Sequence, residues 1–166
     1  MPNWCHNRVC FSLRDMSEEQ RKKFRKETGI SLGDDAEFDF QNILPCPQEL
    51  LDHSAGSFCS EAEYAQQEPS KFMGTLSMTK EMSVAFQEKY GAKDWYEWTC
   101  NNWGTKWSAS GVEFDENTED SIEISFETPW GPSTGIYHYL TETYEDLHIS
   151  WFYDEPGMEF AGYLPD

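Results

Sequence analysis

Four stretches of this chain alternate apolar and polar residues, and their order relative to two helix-patterned stretches limits the fold more than any other feature. Val9, Phe11 and Leu13 alternate with Arg8, Cys10 and Ser12, the two-residue period of a strand with one face buried. Ser17 followed by Gln20 reads as a capping box, Glu18 and Glu19 stand four residues before Lys22 and Lys23, and Gly29 is placed to stop the helix. Further on, Val112 and Phe114 alternate with Glu113 and Asp115, the polar run 116–120 makes a turn, and Ile122, Ile124 and Phe126 alternate with Glu123, Ser125 and Glu127. This predicts a hairpin, ended by Pro129 and Pro132. Ile136, Tyr139, Leu140 and Tyr144 then recur at helical spacing, ahead of the strand-like Leu147, Ile149, Trp151 and Tyr153. A Pro156-Gly157 turn leads into a short extended piece around 160–164.

The order β-α-β-β-α-β is the split arrangement of ferredoxin-like folds. The expected class is therefore α+β, a four-stranded antiparallel sheet with both helices on one face and a helical insertion between the first helix and the second strand. We expect a single domain over 1–166, with core elements at about 4–30 and 107–164 and the insertion at about 36–106. The insertion reads as an extended piece from Glu37 to Leu44, a Pro45-Cys46-Pro47 break, a polar stretch from Asp52 to Ser77 and two helices. In one helix Met78, Met82 and Phe86 lie four apart with Gly91 at the end; the other starts at Asp94 with Glu97 as capping partner.

Leu, Ile, Val and Phe together make up less than a fifth of the 166 residues, and the net charge is −19, a combination typical of disordered chains. Seven Trp, eight Tyr and eleven Phe reverse that expectation, because each buries a large apolar body, so the core should be aromatic. Five Cys without a CxxC pair point to a reduced, cytoplasmic setting. No apolar run reaches the roughly 18 residues of a membrane span. Charge is segregated along the chain: fourteen Asp and Glu and no Lys or Arg lie between Trp107 and Asp166, and all twelve basic residues lie at or before Lys106. Such a field repels nucleic acid and attracts basic proteins.

Five blocks carry a resemblance: Met1-Pro2-Asn3-Trp4-Cys5 with Asn7; Asn42-Ile43-Leu44-Pro45-Cys46-Pro47 with Glu49-Leu50; Asn102-Trp103-Gly104-Thr105-Lys106-Trp107; Phe126-Glu127-Thr128-Pro129-Trp130; and Glu155-Pro156-Gly157 with Phe160-Ala161-Gly162. Together they resemble the YubB-type ferredoxin-like domain proteins of bacteriophages and plasmids. The resemblance implies a ferredoxin-like core and a mobile-element origin, and it brings no catalytic residue with it.

Local motifs favour structure over chemistry. The thiols lack the short paired spacing of structural zinc sites, so no metal or other cofactor is expected, and Cys5, Cys10, Cys46 and Cys100 read as small buried packers. Asp115, Asn117 and Glu119 imitate a calcium loop, but Asp120 and Phe126 replace its Gly and closing Glu. Ser77-Met78-Thr79-Lys80 has the spacing of some acyl enzymes without their companion motifs, and a helix cap explains it. The basic run Arg21, Lys22, Lys23, Arg25 and Lys26 reads as a solvated helix face paired with Glu18 and Glu19.

Two constellations remain. If the apolar strand residues face the helices, Glu113, Asp115, Glu123, Glu127, His148 and Asp154 line the opposite face, with neighbouring carboxylates about 6.6–6.8 Å apart along a strand. Such a grid can imitate phosphates and occupy a basic nucleic-acid channel; equally, it can be a charged face kept for solubility. Trp103, Trp107 and Trp130 sit in or beside Gly- and Pro-containing turns, either as core or as interface anchors. The leading expectation is a non-enzymatic mobile-element protein that binds and inhibits a host protein with a basic surface, without direct contact to nucleic acid or membrane. The alternative is a domain binding a small ligand or nucleotide derivative in an aromatic pocket.

Overall fold

The computed structural model describes residues 2–68 and 75–165. The chain runs through β1 (Trp4–Ser12), α1 (Glu18–Thr28), α2 (Phe40–Ile43), α3 (Gln48–Leu51), β2 (His53–Phe58), α4 (Glu61–Tyr64), β3 (Leu76–Met78), α5 (Lys80–Tyr90) and α6 (Trp95–Asn102). It continues with β4 (Ser110–Asn117), β5 (Ser121–Pro129), α7 (Thr134–Thr143), β6 (His148–Glu155) and β7 (Phe160–Leu164). Two compact units result, Met1–Pro45 with Asn102–Asp166, and Cys46–Asn101. Residues 36–45 and 102–106, expected in the insertion, thus group with the sheet.

In the first unit, five antiparallel strands lie in the order β4-β5-β1-β6-β7. The first four have the order the split β-α-β reading requires, with β1 between the strands β5 and β6 that α7 links. The fifth was expected only as an extended tail; it pairs with β6 from Trp151↔Leu164 to Glu155↔Phe160. The connecting turn is closed by the buried Glu155 carboxylate, which accepts the backbone N–H groups of Gly157 and Met158.

Alternation places the core as expected. Cys5, Asn7, Val9 and Phe11 of β1, Ile122, Ile124, Phe126 and Thr128 of β5, and Trp151 and Tyr153 of β6 are buried. Phe24 of α1 lies 5.6 Å from Phe11, and Tyr137 of α7 lies 6.2 Å from Trp151, ring centre to ring centre, so both helices cover this face. Phe126 meets Phe38, Phe40 and Trp151 at 5.2–6.1 Å. Each such pair adds about 0.5–1.5 kcal/mol beyond area burial, so rings substitute for the scarce aliphatics.

Helix α1 has the capping box of Ser17 and Gln20, ends at Gly29, and holds a Glu18–Lys22 ion pair at 2.6 Å. Lys23 and Lys26 are exposed as expected, but the two arginines depart from the solvated face. Lys23 pairs with Glu27, not Glu19, while Arg21 reaches Asp120 in the β4–β5 turn and Arg25 reaches Asn117 at the end of β4. The extended piece expected over Glu37–Leu44 contains the short helix α2. Asp39 caps it by accepting the Gln41 N–H at 2.8 Å, and the Ser108 hydroxyl joins the same cap by donating to Asp39 at 2.7 Å. Phe38 and Phe40 are both buried, so an alternating pattern here reflects two rings entering one core from a cap and a helix start.

A buried amide links the central three strands. Asn7 Oδ1 accepts the Trp151 indole N–H at 2.9 Å, while Asn7 Nδ2 donates to Thr128 Oγ1 at 2.8 Å and to the Cys5 carbonyl at 3.0 Å. Thr128 Oγ1 in turn donates to the Gly131 carbonyl at 2.7 Å, which fixes the turn after β5. Helix α7 then docks closely on the 102–104 loop: the Gly135 N–H donates to the Trp103 carbonyl at 3.1 Å, and a Cβ on Gly135 would stand 2.0 Å from the Asn102 carbonyl oxygen.

In the second unit β2 and β3 form a parallel pair, which the weakly patterned sequence His53–Phe58 does not announce. Both expected helices are present, but Met78, expected in the first of them, closes β3, and α5 starts at Lys80. Thr79 caps α5 by accepting the Met82 N–H at 3.1 Å, and Asp94 accepts the Glu97 N–H at 2.9 Å at the start of α6. His53 stacks on Tyr64 and bonds the Glu49 carbonyl at 2.7 Å and the Tyr64 hydroxyl at 3.1 Å.

Two predictions follow from the packing of the first unit. Gly135→Ala must push backbone apart and should destabilise the protein by at least ~3 kcal/mol in urea titration, whereas Gly131→Ala, with open space around its Cβ, should change stability by less than about 1 kcal/mol. Asn7→Ala should cost about 1–3 kcal/mol by stranding the Trp151 N–H, and its effect should be strongly non-additive with Thr128→Val. Full additivity of those two substitutions would show that the network does not act as a unit.

Candidate binding face

Residues of the sheet that point away from α1 and α7 form an open face, and the strand registers arrange them in rows. One row runs Ser110, Glu127, His6, Asp154, Ala161; the next runs Glu113, Ser125, Arg8, Phe152, Tyr163. A third holds Glu116, Glu123, Cys10 and Ser150, where an irregularity in β4 between Phe114 and Glu116 brings Glu116 opposite Glu123. Glu113, Asp115, Glu116 and Glu123 are exposed.

Placing β1 in the middle of the sheet changes the expected acidic grid. His6 stands between two of the carboxylates, with Nδ1 3.2 Å from Asp154 Oδ2 and Nε2 3.4 Å from Glu127 Oε1. Arg8 is exposed one step along the same strand, and among the described residues it makes no ion pair and no side-chain hydrogen bond. The carboxylates therefore flank a central column of His6, Arg8 and Cys10. Both basic residues were visible as the polar side of the first strand, and the strand order of a split β-α-β fold was the signal that would have centred them. His148, at the edge of this face, bonds Asp15 at 2.7 Å.

A depression of about 430 Å³ opens on this face, lined in part by Arg8, Cys10, Asp115, Glu123, Ser150, Phe152 and Tyr163. Phe152 and Tyr163 form its aromatic wall, with ring centres 5.2 Å apart. The Cys10 thiol is half-buried rather than buried as expected, and Cys100 is half-buried as well. Burial raises the pKa of Cys10, and the Glu123 charge adds to the effect. Cys5, on the helix side, is pushed up to about 12, first by burial and then by Asp154 and Glu155. Among the described residues, no group of three or more His, Cys, Asp or Glu is placed to hold a metal ion.

The three tryptophans separate. Trp103 is 5% exposed and donates its indole N–H to the Leu44 carbonyl at 2.7 Å, so it belongs to the core and cannot serve as an interface anchor. Trp107 is 42% exposed, lies 6.4 Å from the Trp4 ring and has the Lys106 ammonium 4.4 Å from its ring centre. Trp130 is 52% exposed and adopts φ 72°, a left-handed conformation rare for an aromatic residue, in the turn held by Thr128. The acyl-enzyme spacing has no catalytic counterpart: Ser77 bonds the Ser57 hydroxyl at 2.8 Å and Thr79 is the α5 cap.

Residues 102–164 match a family model described as the ferredoxin-like domain in Api92-like protein. Among solved structures the chain is similar to the crystal structure of a protein api92 from Yersinia pseudotuberculosis, with 12% identity, a TM-score of 0.51, and coverage of 98% of this chain and 93% of that one. At that identity the likeness carries the fold alone. No curated protein matches the chain. The fold is thus α+β with a ferredoxin-like domain, and the lineage is not the YubB-type phage and plasmid family: what matches is Api92-like. The quoted blocks sit where this fold needs particular residues, such as Asn7 in the amide network, Trp103-Gly104 under α7 and Glu155-Pro156-Gly157 at the β6–β7 turn.

Because both thiols are held protonated, mass mapping after iodoacetamide treatment of the folded protein at pH 8 should find Cys5 unlabelled and Cys10 labelled slowly. Equal rates at the two would contradict the placement of Cys5 in the core.

Proposed function

We propose that this chain is a non-catalytic binding module that receives a basic protein surface on the open face of its sheet. The observation that carries this reading is the acidic strip of Glu113, Asp115, Glu116 and Glu123 on β4 and β5, exposed on a sheet face opposite the helices. The net charge of −19 supports it by steering cationic partners towards the molecule. The five free thiols fit a reducing, cytoplasmic setting, and among the described residues no helix is long and apolar enough to cross a membrane. A phosphate-like grid fits the face less well, since His6 and Arg8 interrupt it. Inhibition of a defence factor, expected from a mobile-element origin, loses its footing with that origin.

The test uses a short Lys- and Arg-rich peptide as probe. Replacing Glu113, Asp115, Glu123 and Glu127 with Gln or Asn should leave stability within about 0.5 kcal/mol each, as surface changes do, and should slow association about tenfold or more, with a weaker dependence on salt. A control variant neutralises the exposed Glu61, Glu68, Glu81 and Glu88 and removes the same net charge. Equal loss in both variants would mean that total charge alone acts and that the open face is not the site.

A further inference from the structure

We propose that the depression on the open face takes the carboxyl-terminal Lys or Arg residue of a partner protein, with its α-carboxylate on Arg8 and its side-chain cation between Asp115 and Glu123. This deepens the basic-partner reading and rests on it. The depression holds both signs of charge, Arg8 on β1 and Asp115 and Glu123 on β4 and β5, with the aromatic wall of Phe152 and Tyr163 on the other side of Arg8. Its 430 Å³ lies at the small end of the roughly 300–1,000 Å³ range of ligand sites, a size suited to one residue.

The choice of occupant follows from what each group lacks. Arg8 is an always-charged fork of donors without a partner among the described residues. An internal basic segment docking here would place like charge over it and leave it unpaired. A free anion would meet Arg8 but also the carboxylates around it. A terminal basic residue answers both charges at once: a carboxylate suits bidentate contact with guanidinium, and the aliphatic stem of Lys or Arg runs from there towards β4 and β5, where its head reaches the carboxylates.

The experiment measures fluorescence anisotropy of a labelled basic peptide ending in Arg, as the free acid and as the C-terminal amide, on the parent protein and on Arg8→Gln, with free arginine as competitor. On the parent the free acid should bind about tenfold or more tightly than the amide. On Arg8→Gln this preference should vanish while amide binding is kept, which also shows that the variant is folded. Equal binding of acid and amide on the parent overturns the terminal-residue assignment and leaves the basic-partner reading standing. A preference for the acid that persists in Arg8→Gln removes Arg8 from the site. Free arginine displacing the peptide at the peptide's own affinity would make the occupant a free amino acid, and failure of both peptides to bind would end both readings.

Discussion

One buried amide holds the sheet-bearing unit together. Asn7 bonds Trp151 of β6 on one side and Thr128 of β5 on the other, so the strand that starts the chain is tied to both strands flanking α7. An amide in an aromatic core is tolerated only when its donors and acceptor are all used, and a half-satisfied one destabilises more than an apolar replacement would. Asn7 meets that condition with Trp151, Thr128 and the Cys5 carbonyl. Thr128 extends the constraint to Gly131, and the turn so fixed leads α7 onto the 102–104 loop, where only a residue without Cβ fits at position 135. The turn after β5 that leads to α7 is thus connected through Thr128 to one buried side chain.

The same strand also sets the character of the open face. A strand side chain alternates with a period of two, so burying Cys5, Asn7, Val9 and Phe11 obliges His6, Arg8 and Cys10 to point outward. With β1 in the middle of the sheet, that outward column becomes the centre of the face. Slipping the register by one residue would bury a guanidinium and expose the network, so packing and surface chemistry are specified together.

Much of this was legible in the sequence, for physical reasons that differ from element to element. The capping box at Ser17, the alternation in β5 and the hairpin turn are local, and local signals survive into the fold. The short helix at Phe40–Ile43 was hidden because Asp39 and Ser108, 69 residues apart, build its cap together. The parallel pairing of β2 with β3 has no alternating signature to read. Glu113, Asp115, Glu123, Glu127 and Asp154 share the face that the alternation predicted, whereas the status of Trp103 depended on α2, which was read as extended. The lineage was misread, since residues 102–164 match the ferredoxin-like domain of Api92-like protein.

Within the sheet-bearing unit, charges segregated along the chain meet in space. The acidic stretch after Trp107 folds back against the basic residues near the N-terminus: Arg21 meets Asp120, Arg25 meets Asn117, and His6 lies between Glu127 and Asp154. These contacts are exposed or half-exposed, and pairs of that kind contribute little to stability, so their consequence lies in the pattern they leave on the surface. Where a cation is matched, the face is locally neutral and offers a partner nothing beyond general attraction. Among the described residues Arg8 on the open face makes no ion pair, and neither do Asp115 and Glu123 in the same depression. A mixed-sign site of this kind discriminates by arrangement rather than by total charge, because a ligand gains only when its own charges are spaced to meet both. Selectivity of this module for one basic partner over another would then reside in the three or four residues around Arg8, while the remaining acidic surface sets how fast any cationic protein arrives.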